Sequence, residues 1–272
     1  MKTHEKYRRL QAYLASLGSL AVAFSGGVDS TLLAKTAHDV LGAEAIAVTA
    51  LSPTHPHREV HEDLALMKQI GMLHITEPTT EMDLSAFTSN PSNRCYICKT
   101  LIFTKVKEVA TAHNIQHTAD GSNLDDGGDF RPGMQAAVEV GVLSPLKELG
   151  VTKADIRQLS KKLQLPTWDK PAFACLATRL PYGETITEAG LRRVDRAEQY
   201  LLDRGFQQLR VRSHGPLARI ELRSQDIQRF IGEDHAAAVA QVFQEYGFTY
   251  VTLDLSGYRT GSMNETLSTA ER

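Results

Sequence analysis

Six consecutive residues, Ser25-Gly26-Gly27-Val28-Asp29-Ser30, carry the first sign of chemistry in this chain. The adjacent glycines strip side-chain bulk from the backbone, so N–H groups can approach an oxyanion. A helix expected from Thr31 aims the positive end of its dipole at the same spot. Ser25 and Ser30 add hydroxyl donors, and Asp29 is placed to help hold Mg²⁺. The alternative is an ordinary tight turn with Asp29 or Ser30 as an N-cap. Other phosphate motifs fit less well. A Walker loop ends in Gly-Lys-Ser/Thr, and no lysine stands there. A dinucleotide fingerprint needs three spaced glycines.

The second sign is the set of three cysteines, Cys95, Cys98 and Cys175. The Cys95-x-x-Cys98 spacing fits a redox pair, half a zinc site or part of an iron–sulfur site. A redox pair would normally follow a strand directly, whereas a polar loop precedes this one. A zinc site would need a fourth ligand from His, Asp or Glu. Three thiolates on a [4Fe–4S] cube would leave one iron open to carry sulfur. The alternative is that Cys175 is a small buried hydrophobe and the pair is incidental.

Hydrophobic periodicity supplies the elements that must position these groups. Leu20–Phe24 and Ile46–Leu51 read as buried parallel strands, with helices over Thr31–Leu41 and from about Pro56 to Ile70. Leu73–Thr76 and Gln116–Ala119 continue the series, and a helix from Thr100 to His113 follows the cysteine pair. This alternation predicts an α/β fold with a doubly wound parallel sheet, whose ligands sit at the carboxyl ends of the strands. Ser52 lies at such an end, where an adenosine could rest, or it is a turn residue before Pro53. Asp120 and Gly121 lie at another, where a carboxylate could reach a metal on a pyrophosphate or close an Asx-turn. Arg131 could clamp a phosphate or pair with Asp129. A last short strand is expected over Leu143–Leu146, and Thr152 with Asp155 reads as a capping box.

From Glu184 the pattern changes. A helix capped by Thr187 and a hairpin of Gln208–Ser213 with Leu217–Leu222 lead to a helix over His235–Tyr246 and a strand over Tyr250–Leu255. Arg210 and Arg212 share one strand face, and Arg219 and Glu221 another. The expected organisation is residues 1–168 as the nucleotide domain, 169–185 as a cysteine-bearing connecting loop, and 186–272 as a small α+β domain.

The chain has 272 residues, 42% hydrophobic and 23% charged, a composition ordinary for a water-soluble protein with a real core. A net charge of −2 argues against broad electrostatic binding of nucleic acid. No apolar run approaches a membrane span. The first residues read as a polar amphipathic helix and not as an export signal. Three cysteines without such a signal predict reduced thiols in the cytoplasm.

SGGVDS resembles the pyrophosphate-binding loop of the PP-loop ATP pyrophosphatases, the adenine nucleotide α-hydrolase-like enzymes that cleave ATP between its α- and β-phosphates. Together with NRCYICK (Asn93–Lys99), DGSNLDD (Asp120–Asp126), DFRPG (Asp129–Gly133), KPAFACLATRLPYGE (Lys170–Glu184), RVR (Arg210–Arg212) and GYRTGSMN (Gly257–Asn264), the chain resembles, almost end to end, the LarE sulfur-insertion enzymes. The resemblance implies a sulfur transferase of nickel-pincer nucleotide synthesis acting on a small-molecule nucleotide, pyridinium-3,5-biscarboxylic acid mononucleotide. ATP would adenylate a carboxylate, sulfur would displace AMP, and a thiocarboxylate would result.

The same likeness implies a pyrophosphate site of Ser25, Gly26, Gly27, Asp29 and Ser30, and a substrate end lined by Arg210, Arg212, Glu221 and Arg259. Forked guanidinium groups suit a substrate with a phosphate and two carboxylates. The alternative for these charges is a solvated strand face, and for Glu198, in a matching region, surface charge is the default. Some members of the family sacrifice a cysteine sulfur and are left with dehydroalanine. Others carry three cysteines thought to hold a [4Fe–4S] cluster, which Cys95, Cys98 and Cys175 would match. A homo-oligomer is expected, as are a sulfur donor and a reductant. Competing readings are a tRNA thiolase, which calls for a basic surface; an amide-forming relative of the NAD and GMP synthetases, which leaves the cysteines unexplained; and a non-catalytic nucleotide-binding protein.

Overall fold

The computed structural model describes residues 2–128, 133–171, 174–232, 235–259 and 261–266. The chain divides into two units. The first is formed by Met1–Ser52, His57–Glu81 and Asn93–Phe173, the second by Pro53–Pro56, Met82–Ser92 and Ala174–Arg272. The division differs from the linear one expected. Cys175 and the residues after it group with the second unit, and two short N-terminal segments join them there. No composition change marks those segments, because backbone hydrogen bonds hold them and any residue can make those.

In the first unit, strands β1 (Leu20–Ala23), β2 (Ala45–Leu51), β3 (Leu73–Pro78) and β4 (Thr118–Ala119) form a sheet in the order β3-β2-β1-β4. Every pairing is parallel. Helices α1 (Thr3–Leu17), α2 (Val28–Leu41), α3 (His57–Ile70), α4 (Arg94–Ala112), α5 (Gly133–Val140) and α6 (Lys153–Lys162) complete the unit. Leu20, Val22, Phe24, Ala45 and Ala47 pack against Leu10 and Leu14 of α1, Leu32 and Leu33 of α2, and Ile156 and Leu159 of α6. The alternate residues Ala21, Ile46 and Val48 pack against Val106, Val109 and Ala110 of α4. Burial on both faces is why these strands read as unbroken apolar runs. The strand order reverses between β1 and β4, which makes the carboxyl end of β1 the topological switch point of the sheet.

Three boundaries depart from the sequence reading. Helix α2 begins at Val28 with Gly27 as its N-cap, so Asp29 and Ser30 lie in its first turn and neither caps it. Helix α4 begins at Arg94 and takes in both Cys95 and Cys98. Leu143 contributes one bridge to Ala119, and a helical turn, Pro145–Glu148, replaces the rest of the expected strand. The capping box at Thr152 is formed as expected, and Asp155 also takes Lys6 of α1 at 2.6 Å.

The second unit holds a sheet in the order β5 (Arg210–His214), β6 (Leu217–Glu221) and β7 (Tyr250–Leu253). The first pair is antiparallel and the second parallel. Helices α7 (Glu188–Leu202), α8 (Ser224–Gly232) and α9 (His235–Glu245) accompany it. Helix α8 gave no clear sequence signal, because only Phe230 and Asp226 of its nine residues are buried. Among the described residues, no helix is long and apolar enough to cross a membrane.

Candidate functional site

The loop after β1 is drawn tight by its own hydroxyls. Ser30 Oγ lies 3.2 Å from Ser25 Oγ, accepts from Ser25 N at 3.3 Å, and donates to Gly27 O at 3.3 Å. Gly26 has φ +65°, a backbone region that favours glycine. A Cβ there would fall 1.8 Å from Asp63 Oδ1 of α3. A Cβ on Gly121 would fall 2.8 Å from Ser30 N, so the loop leaving β4 crosses directly over the amide at the start of α2. Two glycines therefore let other chain segments close on this turn.

The acidic residues assigned to this site are engaged. Asp29 is paired with Lys153, and Asn123 Nδ2 donates to its Oδ1 at 3.4 Å. Burial pushes the Asp29 carboxyl up, against the pull of Lys153. Asp120 closes an Asx turn, accepting from Ser122 N at 3.2 Å and Ser122 Oγ at 2.6 Å, and it accepts from Ser144 Oγ at 2.8 Å. Ser52 donates to Glu81, and both are buried at the end of β2. Arg131 lies outside the described residues.

Residues that the sequence reading passed over complete the loop's surroundings. Lys170 Nζ donates to Gly26 O at 3.2 Å, pairs with Glu59, and meets Glu62 Oε2 at 3.0 Å. Arg157 of α6 fixes that strip of chain, donating to Trp168 O at 2.8 Å and Lys170 O at 2.9 Å. Asp63 is buried, its Oδ1 has no hydrogen-bond partner, and its carboxyl is pushed up to about 7. Burial is the main cause; Lys170 opposes it, and Glu59 and Glu62 add to it.

A carboxyl raised in this way binds its proton more tightly folded than unfolded. Its stabilising share is full below its unfolded value near 4 and is lost as pH rises to about 7. Asp63→Asn should remove that loss. Urea unfolding should show the variant more stable than the parent at pH 8, by on the order of 2 kcal/mol, with the difference vanishing toward pH 4. An equal difference at both pH values would refute this assignment.

The second unit holds the arginines. Arg210 and Arg212 are each only 4% exposed, which replaces the picture of a solvated strand face. Arg212 donates to Thr178 O at 3.0 Å, to Glu221 Oε2 at 2.8 Å and to Ser262 Oγ at 3.1 Å, while its buried Nε has no partner. Arg210 lies over the Tyr258 ring at 5.1 Å. Burial and then neighbouring Arg179 bring its guanidinium down to about 10. Arg259 is more open, 3.4 Å from Glu265. A buried guanidinium N–H without a partner is costly unless something accepts from it.

Arg179, which the sequence reading gave no role, is fully buried and ties this group to Cys175. It donates to Ala174 O at 2.5 Å, Cys175 O at 3.1 Å and Thr178 Oγ1 at 3.0 Å. It also forks onto Glu198 at 2.9 and 2.7 Å, and Glu198 accepts Val211 N of β5 at 2.9 Å. Glu198 is thus a buried partner, and the surface-charge default was wrong. The signal was present: Glu198 falls on the same stripe of α7 as Leu191, Val194 and Leu201.

The cysteines are thiols, with Cys95 exposed and Cys98 and Cys175 partly so. Cys95 and Cys98 stand three residues apart at the start of α4, and so share a face. Cys175 caps a 3₁₀ turn, Leu176–Arg179. Among the described residues, no group of three or more His, Cys, Asp or Glu side chains is disposed to hold a metal ion.

No family model matches the chain. It is 36% identical over 267 residues to the pyridinium-3,5-bisthiocarboxylic acid mononucleotide synthase of Lactiplantibacillus plantarum, covering 98% of this chain and 96% of that protein. It is 47% identical to the uncharacterized protein slr1717 of Synechocystis, over 97% and 98% of the two chains. The uncharacterized protein MJ0830 of Methanocaldococcus jannaschii is 26% identical over 89% of this chain and 91% of its own.

Proposed function

Because this chain belongs to the family of the pyridinium-3,5-bisthiocarboxylic acid mononucleotide synthase, the LarE-like enzymes, we propose that it is an ATP-dependent sulfur transferase of the PP-loop type, acting on pyridinium-3,5-biscarboxylic acid mononucleotide. The observation that carries the reading is the hydrogen-bonded assembly of Arg212, Arg179 and the Cys175 turn, which ties anion-binding guanidinium groups to a thiol-bearing backbone.

In the first half-reaction, the loop at Ser25–Ser30 holds the phosphates of ATP with its N–H groups and hydroxyls. A substrate carboxylate oxygen attacks the α-phosphorus, the α–β bridge breaks, and pyrophosphate leaves with the electron pair. Mg²⁺ would neutralise charge on the phosphates; Asp29, a carboxylate of the loop itself, is paired with Lys153. In the second half-reaction, Arg210, Arg212 and Arg259 hold the anionic groups of the substrate beside Glu221. The Cys175 thiolate attacks the acyl carbon and AMP leaves. Loss of the Cys175 α-proton to a base then breaks the Cβ–Sγ bond, giving a thiocarboxylate and dehydroalanine. The alternative sulfur source is a [4Fe–4S] cluster on Cys95, Cys98 and Cys175, which would supply sulfide at an open iron. Cys95 and Cys98, one helical turn apart, offer two of its three thiols.

The test is anaerobic incubation with ATP, Mg²⁺ and the biscarboxylic mononucleotide. Pyrophosphate, AMP and a thiocarboxylate product are expected together, and pyrophosphate release without thiocarboxylate would overturn the reading. Iron and sulfide in the purified protein, lost in Cys95→Ala, identify the cluster route. Iron-free protein that loses ~34 Da at Cys175 in one turnover identifies sacrifice.

A further inference from the structure

We propose that Asn90 is a positioning residue for the Cys175 turn. The turn is a single coil of 3₁₀ helix, too short to hold its own shape. Arg179 grips its carbonyls from one side. Further bonds to the turn and to the chain just after it come from the two short segments that precede it far back in the sequence. Leu176 N donates to Thr54 O at 2.8 Å, Gly183 N to Asn90 O at 2.9 Å, and Ile186 N to Thr88 O at 2.8 Å. In each of these the distant residue uses its backbone. A side chain joins them: Asn90 Nδ2 donates to Pro181 O at 2.7 Å.

Asn90 is also the residue whose chemistry the position selects. It is fully buried with φ +57°, a conformation that asparagine tolerates and most side chains resist. Glycine would adopt the same backbone but bring no donor. Aspartate would turn a carboxylate oxygen toward the Pro181 carbonyl. Asparagine meets both demands, and a buried residue held in a sparsely populated conformation is where structure is retained for a purpose. Without the amide, Pro181 O loses its shorter bond and keeps Glu184 N at 3.1 Å, so the chain two residues beyond Arg179 is held less tightly.

The kinetic part of this proposal rests on the sulfur-transfer reading; the geometric part does not. Two variants, Asn90→Gly and Asn90→Ala, would be compared with the parent by alkylation with iodoacetamide, following each cysteine by peptide mass spectrometry. Cys95 and Cys98, which lie in α4, are internal references. The alkylation rate of Cys175 relative to theirs should change by about threefold or more in both variants, since a small displacement alters access and alignment. In a single turnover the rate of thiocarboxylate formation should fall about tenfold, with the ATP concentration for half-maximal rate within about twofold of the parent. An unchanged Cys175 ratio in Asn90→Gly overturns the proposal. A changed ratio, with no thiocarboxylate formed even by the parent, leaves the positioning role intact and removes the proposed function. Should neither variant fold, the parent protein decides. Slow amide hydrogen exchange at Leu176 and Gly183 is expected, and exchange at the rate of open loops overturns the proposal.

Discussion

Cys175→Ser should abolish thiocarboxylate formation, by about 10³-fold or more, while substrate-dependent release of pyrophosphate survives. The split is expected because the two half-reactions draw on different parts of the chain. The anion loop lies after β1 and keeps its Ser25–Ser30 contact, its glycine contacts with Asp63 and Ser30, and Lys170. In the proposed reaction Cys175 enters only when sulfur is needed, under both sulfur sources. A serine oxygen at that position could still attack the activated acyl carbon, but the product would be an ester with no sulfur in it. Pyrophosphate and AMP assays run beside mass spectrometry of the nucleotide separate the steps. Loss of pyrophosphate release together with the thiocarboxylate would place Cys175 in the first half-reaction and refute the assignment.

Glu198→Ala should be the most damaging single change to stability, at about 3–5 kcal/mol. Glu198 is the carboxylate partner of a fully buried guanidinium. Burial works against its own charge, and Arg179 more than offsets that, so its carboxyl lies below the ordinary glutamate range. Removing it leaves Arg179 charged and uncompensated, and takes away the acceptor of Val211 N. Replacing both partners together, Arg179→Met with Glu198→Leu, should recover much of the loss, because an apolar pair of similar bulk carries no desolvation penalty. Urea unfolding of the two single variants and the double variant reads this directly. A Glu198→Ala protein within about 1 kcal/mol of the parent would mean that the pair contributes little.

The parts of this fold that the sequence displays are those made by repetition. Leu20–Ala23 and Ala45–Leu51 are apolar along their length because helices cover both faces, and Arg210–His214 with Leu217–Glu221 show a hairpin through Gly215 and Pro216. The glycine at 26 was visible as bulk removed from a turn. Long-range pairing was not visible. Nothing local marks Lys170 as the partner of Glu59, or Ser144 as the partner of Asp120. Helix starts shifted for a related reason: Val28 and Arg94 begin their helices earlier than side-chain pattern suggests, since Gly27 and Asn93 stand at the N-cap without a side-chain cap bond. Glu198 shows the intermediate case, legible from its place on an apolar stripe once a charge there is read as a demand for a buried partner.

The two N-terminal segments that complete the second unit also set an order of assembly. During synthesis, Asn90 leaves the ribosome with no Pro181 to meet, and its contact must wait for 91 more residues. Contacts of that span are formed late and slowly. A clone beginning at Ala174 would carry the arginines and the cysteine but lack Thr54, Thr88 and Asn90. It should emerge as a loosened fragment, and supplying the missing peptides in trans would be the way to firm it up.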